Sequence, residues 1–263
     1  MTDYSSHTSY SRYFSPRQKV FLINMSEVRD VEEYESLSGI VAECGQDTLE
    51  VRVPYFSEQL FTPGGPEFLT FKITTESMGV GLQITAELSC VKPGNIFCFK
   101  LKGLLETYQR RQTPRVDTTI KIYRISQEYS LAVYRKEYRR IITYRKNHGA
   151  VPNLKLVETD VNISAGGIGL SVGLKDTLST LSMFFFDLED GQPPVCALAE
   201  IVWSRKEEAS QRCGHRFIQI MKSDQQRLGK YVQALRKSQG LPDNSRTNWE
   251  LLDRMIFQED TKK

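Results

Sequence analysis

Arg110-Arg111-Gln112-Thr113-Pro114-Arg115 sets three guanidinium groups in one short joint. The residue before a proline is pushed out of helical geometry, so Thr113 is expected to be extended and the joint not to be a helix. Arginine is permanently charged and presents a planar fork of donors that fits phosphate oxygens and purine edges. A second stretch follows, Asp160-Val161-Asn162-Ile163-Ser164-Ala165-Gly166-Gly167. It offers short polar side chains ahead of a glycine pair, where a backbone can come close to a ligand. Taken alone, the first stretch reads as a solvated basic joint and the second as a tight turn.

The segments around them read as short strands. Lys19–Ile23, Gly39–Glu43, Thr48–Val53, Phe68–Thr74, Gln83–Leu88 and Ile96–Leu104 favour β-branched and aromatic residues. Leu49-Glu50-Val51-Arg52-Val53 alternates with period two, the mark of a half-buried strand. Six such strands ahead of the arginines predict a small antiparallel barrel. Pro63-Gly64-Gly65-Pro66 and Met78-Gly79-Val80-Gly81 read as turns or loops. Beyond the joint, strands are expected at 116–125, 154–161, 168–172, 181–188, 195–204 and 214–221. Ser223 with Gln226 reads as a capping box opening a helix with Leu228, Tyr231, Val232 and Leu235 on its apolar face, ended near Gly240.

In this order, and ahead of strand-like segments, the two motifs resemble the PilZ family of cyclic di-GMP receptors. That family pairs RxxxR with a downstream (D/N)xSxxG. The matching residues are Arg111 and Arg115, then Asn162, Ser164 and Gly167. Val202-Trp203 and Gly214-His215-Arg216-Phe217-Ile218 resemble the closing strands of a PilZ barrel, so the resemblance spans roughly 109–238. The placement of the preceding half resembles the N-terminal domain of YcgR-type proteins, whose shape is similar to flavin-reductase split barrels. No flavin motif accompanies it.

The resemblance implies a mainly β protein of two small antiparallel β-barrels, split-barrel-like and then PilZ, with an inserted helix and C-terminal helices. The expected division is a flexible arm at 1–15, a first barrel at 16–105, a linker carrying the arginines at 106–115, a PilZ domain at 116–240 and a tail helix at 241–263. It implies cyclic di-GMP as the ligand and no cofactor or metal. Arg111 and Arg115 would read phosphate and guanine, and Arg110 would support a stacked pair of ligands. Asn162, helped by Asp160, would accept from guanine N1 and N2. Ser164 would offer a hydroxyl, Gly166 and Gly167 would leave room, and Trp203 would flank a base or fill the core. Since the arginines lie on the joint, ligand binding is expected to change how the halves sit.

Bulk properties narrow the alternatives. The chain has 263 residues, 40% hydrophobic and 25% charged, with net charge +3, ordinary for a globular protein. That charge is too small to imply nucleic acid by itself. Cys44, Cys90, Cys98, Cys196 and Cys213 make no CxxC, so free thiols in a cytoplasmic protein are expected. The longest apolar run, Met183-Phe184-Phe185-Phe186, is far too short to span a bilayer. His7, His148 and His215 are scattered, and no HExxH, Walker loop or GxGxxG occurs, so no catalysis is expected.

One piece departs from the family pattern. Residues 127–148 carry Leu131, Tyr134, Tyr138, Ile141, Ile142 and Arg145 at helical spacing, with six basic residues against Glu128 and Glu137. The plain reading is an inserted helix that docks its apolar stripe and leaves its charges in solvent. The sharper reading is a docking helix for an acidic protein, a membrane surface or DNA, with Arg135, Lys136, Arg139 and Arg140 facing outward. The downstream role implied by YcgR-type proteins is control of motility or biofilm behaviour through a protein partner, the flagellar motor among the candidates. A cyclic di-GMP-responsive DNA-binding regulator and a ligand-free PilZ scaffold are the alternatives.

Overall fold

A computed structural model of the chain describes residues 10–25, 33–54, 69–77, 80–108, 113–149, 154–176 and 178–241. The first half contributes Lys19–Asn24 (β1), Glu33–Cys44 (β2), Thr48–Arg52 (β3), Thr70–Ser77 (β4), Val80–Lys92 (β5) and Ile96–Tyr108 (β6). They pair in the order β1-β4-β5-β6-β3-β2, and β1–β2 pairing closes the ring. The second half contributes Val116–Ile125 (β7), Val157–Ser164 (β8), Gly167–Gly173 (β9), Leu181–Asp187 (β10), Val195–Lys206 (β11) and Ser210–Met221 (β12). Their order is β12-β11-β10-β7-β8-β9, closed by β12–β9. The result is two six-stranded antiparallel barrels, as the strand patterning predicts. Closure removes open edges, and one pairing, Gln219–Met221 against Glu33–Glu35, joins the barrels along β12 and β2.

Alternation sorts side chains between faces. Along β10, Phe184 and Phe186 fill the second barrel with Ile120, Ile163, Leu170 and Phe217. Leu181, Met183 and Phe185 point outward, yet they too are buried. They are covered by the helix Leu131–His148 (α1), whose Leu131, Tyr134, Tyr138 and Ile142 join the same apolar cluster. A strand covered on both faces reads as a continuous apolar run, which explains Met183–Phe186. That outer cluster is contiguous with the core of the first barrel, which contains Val20, Leu37, Phe71 and Phe99.

Several expectations need correcting. Helix α1 starts four residues late, because Ser130 is its N-cap and accepts from Val133 N; its C-cap is Gly149 at φ 67°. Arg135 is buried, and Arg145 pairs with Asp224 at 2.7 Å. The basic face therefore lacks Arg135, while Lys136, Arg139 and Arg140 are exposed and Arg140 pairs with Glu137. The last helix among the described residues, Lys222–Ser238 (α2), begins one residue before Ser223, with Met221 as N-cap and no side-chain capping bond, so the capping box is not made. Residues 10–14 are no free arm: Phe14 is buried in the first barrel's core, and Tyr10 donates to Gly103 O at 2.7 Å. Val80 and Gly81, expected in a loop, open β5. The turn at 63–66 and all but the first residue of the expected tail helix at 241–263 lie outside the described residues.

Helix α2 closes one end of the second barrel with Leu228 and Val232. It is tied down by an ion network: Asp224 binds Arg145 and Arg227, and Arg227 also binds Asp190 at 2.8 Å. The Arg227 hydrogen bond holds Asp190 below the usual carboxylate range.

Candidate functional site

The registers bring five residues into one lateral row on the outside of the second barrel. Asp117 lies opposite Asn162, Asn162 opposite Gly169, Gly169 opposite Gly214, and Gly214 opposite Trp203. Directly opposed residues share a face. Between Asn162 and Trp203 only Gly169 and Gly214 intervene, so the two side chains start three strand spacings apart, about 14 Å at ~4.8 Å each, with bare backbone at Gly169. A Cβ at Gly214 would come within 2.2 Å of Trp203 Nε1, so the indole lies across that glycine. Trp203 is 44% exposed and is not a core residue. Gly214→Ala is expected to push the indole into solvent, read as a red shift of its emission when Trp249 is replaced by phenylalanine.

Below this row lies a groove of about 340 Å³ lined by Asp117, Thr119, Asp160, Asn162, Ser171 and Arg212. Asn162 donates Nδ2 to Asp117 Oδ1 at 2.9 Å. A carboxylate can only accept, so this contact fixes the amide and leaves the Asn162 oxygen as an acceptor. Thr119 donates to Asp160 at 2.5 Å. Asp117 and Asp160 thus set carboxylate acceptors on either side of Asn162. Arg212 supplies a cation from β12, opposite Ser171 and Arg205.

The other sequence-predicted residues fall elsewhere. Ser164 is 2% exposed. Its hydroxyl donates to Gly167 O and accepts from Gly166 N, so it shapes the turn instead of facing the groove. A Cβ at Gly167 would sit 2.4 Å from His215 O; that position must be glycine for β9 to approach β12. Gly166 lies beside Thr113, whose Oγ1 would be 3.6 Å from an added Cβ, so the joint passes this turn. Arg115 is exposed, and its carbonyl accepts from Arg236 Nη1 at 2.7 Å. Arg110 and Arg111 lie outside the described residues. His215 faces the barrel interior against Phe184; burial, then the Arg124 charge, pushes its pKa down to about 4, so it is neutral at pH 7.

Sequence reasoning missed Asp117, Thr119 and Arg212. Alternation along 116–125 places the first two on one face, but only the register sets them against Asn162 and Asp160. Arg212 gave no signal, because β12 was expected to begin at Gly214.

A family model described as the PilZ domain matches residues 109–234. This chain carries a PilZ domain. Among solved structures, it is similar to the Bacillus subtilis inhibitor of motility MotI/DgrA, at 14% identity over 89% of this chain and 100% of that one, with a TM-score of 0.35. It is also similar to K. pneumonia MrkH in complex with c-di-GMP, at 14% identity over 88% and 91% of the two chains, TM-score 0.31. YcgR of Escherichia coli in complex with c-di-GMP matches at 13% identity over 83% and 84%, TM-score 0.30. No curated protein matches the chain.

The PilZ motif adjoins the contact between barrels. Gly167 lies opposite Arg216 on β12, and Arg216 lies opposite Glu200 on β11. The Arg216 guanidinium stands 3.9 Å over the Phe21 ring and donates to Ser36 Oγ. Ser38 donates its hydroxyl to the buried Glu200 carboxylate. Phe21, Ser36 and Ser38 belong to β1 and β2, so one strand separates the motif glycine from the first barrel. Among the described residues, no helix is long and apolar enough to cross a membrane.

Proposed function

We propose that this protein is a cyclic di-GMP receptor that binds its ligand on the row from Asp117 to Trp203, beneath the arginine joint. The single observation that carries the reading is that row: acceptors at one end, an exposed indole lying over Gly214 at the other, and bare backbone at Gly169 between. Guanine offers N1 and N2 donors to Asn162, Asp160 and Asp117. Its O6 and N7 form the edge that arginine reads with two parallel bonds, a task for Arg111 and Arg115. Trp203 gives a base a stacking face, worth ~1–3 kcal/mol. Ser164, Gly166 and Gly167 hold the turn that places Asn162 relative to the joint. Arg110 adds charge to offset a second, stacked ligand.

The joint at 106–115 connects the barrels, and Arg216 lies between the motif and Phe21. A ligand that favours one arrangement of the joint shifts the relative population of barrel arrangements. The output is a changed surface for a partner that acts on motility or biofilm behaviour, and the cytoplasm is where the ligand is met.

Calorimetric titration of the full chain with cyclic di-GMP tests this. The expected result is saturable binding near two ligands per chain. Near one per chain keeps the receptor and removes the role of Arg110. No heat and no thermal shift at high ligand overturns the reading in favour of a scaffold.

A further inference from the structure

Cys90 and Cys98 are directly opposed on the antiparallel strands β5 and β6. Opposed residues on such strands have Cα atoms about 4.5–5.5 Å apart and point to one face. A disulfide needs roughly 4.4–6.8 Å between Cα atoms. The face is the outer one, because Leu88, Phe97 and Phe99 fill the barrel on the other side. Cys90 is exposed and Cys98 half-buried. The pairing shifts between Leu88 and Cys90, and such bulges increase local twist and re-aim side chains. Across β6 the row continues to Glu50, which accepts from the Cys98 thiol at 3.9 Å and pairs with Lys92 at 2.5 Å.

We infer that Cys90 and Cys98 are a dithiol site that closes reversibly to a disulfide when a peroxide reaches the outer face of the first barrel. The exposed Cys90 reacts first. Its sulfur attacks one peroxide oxygen, the O–O bond breaks, and a sulfenic acid forms with release of one water. Burial, followed by Cys90 and the Glu50 charge, pushes the Cys98 thiol up to about 11, so Cys98 keeps its proton and acts second. Its sulfur attacks the Cys90 sulfur and expels hydroxide, which leaves as water with the Cys98 proton. Two thiols lose two electrons and two protons, and one peroxide becomes two waters. Attack by an adjacent thiol competes with further oxidation, because the sulfenic form condenses readily with a thiol. Cys196 and Cys213 are buried and Cys44 lies on β2, so the pair has no rival in reach of an exposed sulfenic acid among the described residues.

The test is limiting hydrogen peroxide on the full chain, then alkylation in denaturant and tryptic mass analysis. Trypsin does not cut Lys92-Pro93, so residues 73–100 hold both thiols in one peptide. The expected peptide lacks two hydrogens, resists alkylation and regains both thiols with dithiothreitol, while the other three of five cysteines stay alkylatable. In Cys98→Ser, a 1,3-diketone should trap Cys90 as its sulfenic adduct; in Cys90→Ser, Cys98 should remain alkylatable. Full alkylation of the wild-type peptide, over-oxidation of Cys90 without a bridge, or a cross-link between chains would each overturn the inference.

Discussion

Arg115→Ala is expected to lower affinity for cyclic di-GMP roughly ten- to a hundredfold while the protein keeps its fold. Losing one charge-assisted, bidentate contact costs about 1.5–3 kcal/mol, and alanine leaves nothing to replace it. The fold should be spared for a structural reason. The side chain is exposed, and alanine keeps the backbone contact from Arg236 to the Arg115 carbonyl. The strand behind it starts at Val116, which is buried. Arg111→Ala should act alike, being the other arginine of RxxxR. Arg115→Lys should recover only part of the loss, since an ammonium keeps the charge and loses the planar fork. Calorimetry gives the affinity and thermal unfolding the control. Unchanged affinity in both alanine variants would sink the site assignment.

How much of this was legible in the sequence depends on what each feature needs. Period-two alternation is local, so VDTTIKIYRI is legible as the strand Val116–Ile125, and the arginine-to-glycine order points to the PilZ motif. Burial from both sides is not local. Met183–Phe186 showed an apolar run, and only the docking of α1 explains why its outward residues are covered. The same docking turns Arg135 inward, which a helical count of charges cannot reveal. Ser164 shows a second limit: a motif serine looks like a ligand donor until the turn's own Gly166 and Gly167 groups are seen to use its hydroxyl. Asp117 shows a third. It lies 45 residues from Asn162, and cross-strand register is what gives an asparagine at that position a carboxylate beside it. The apparent capping box at Ser223 failed because the helix begins directly at the end of β12, with Met221 already in extended geometry.

The basic helical insertion is structural on one side, and Asp224→Ala should expose that. Asp224 is 2% exposed and lies between Arg145 of α1 at 2.7 Å and Arg227 of α2 at 2.9 Å. Removing one partner of a buried pair leaves an uncompensated charge, at ~3–5 kcal/mol. The low end, about 3 kcal/mol, applies here, because Arg227 retains Asp190 and the Pro193 carbonyl, and Arg145 retains the Pro194 carbonyl. Asp224→Asn keeps the shape and one acceptor, so it should cost less than alanine. Urea unfolding measures both as a lowered midpoint with an unchanged slope. If α1 were a free docking helix, Arg145 would be solvated and Arg145→Ala would cost only a few tenths of a kcal/mol, as at exposed pairs. Helix α2 also donates from Gln225 to Ala165 O and from Arg236 to Arg115 O. The network that anchors α2 therefore supports both the motif turn and the arginine joint. Below its unfolding temperature the Asp224→Ala variant should still bind cyclic di-GMP, which separates the anchoring role of Asp224 from the ligand-binding role proposed for Arg115.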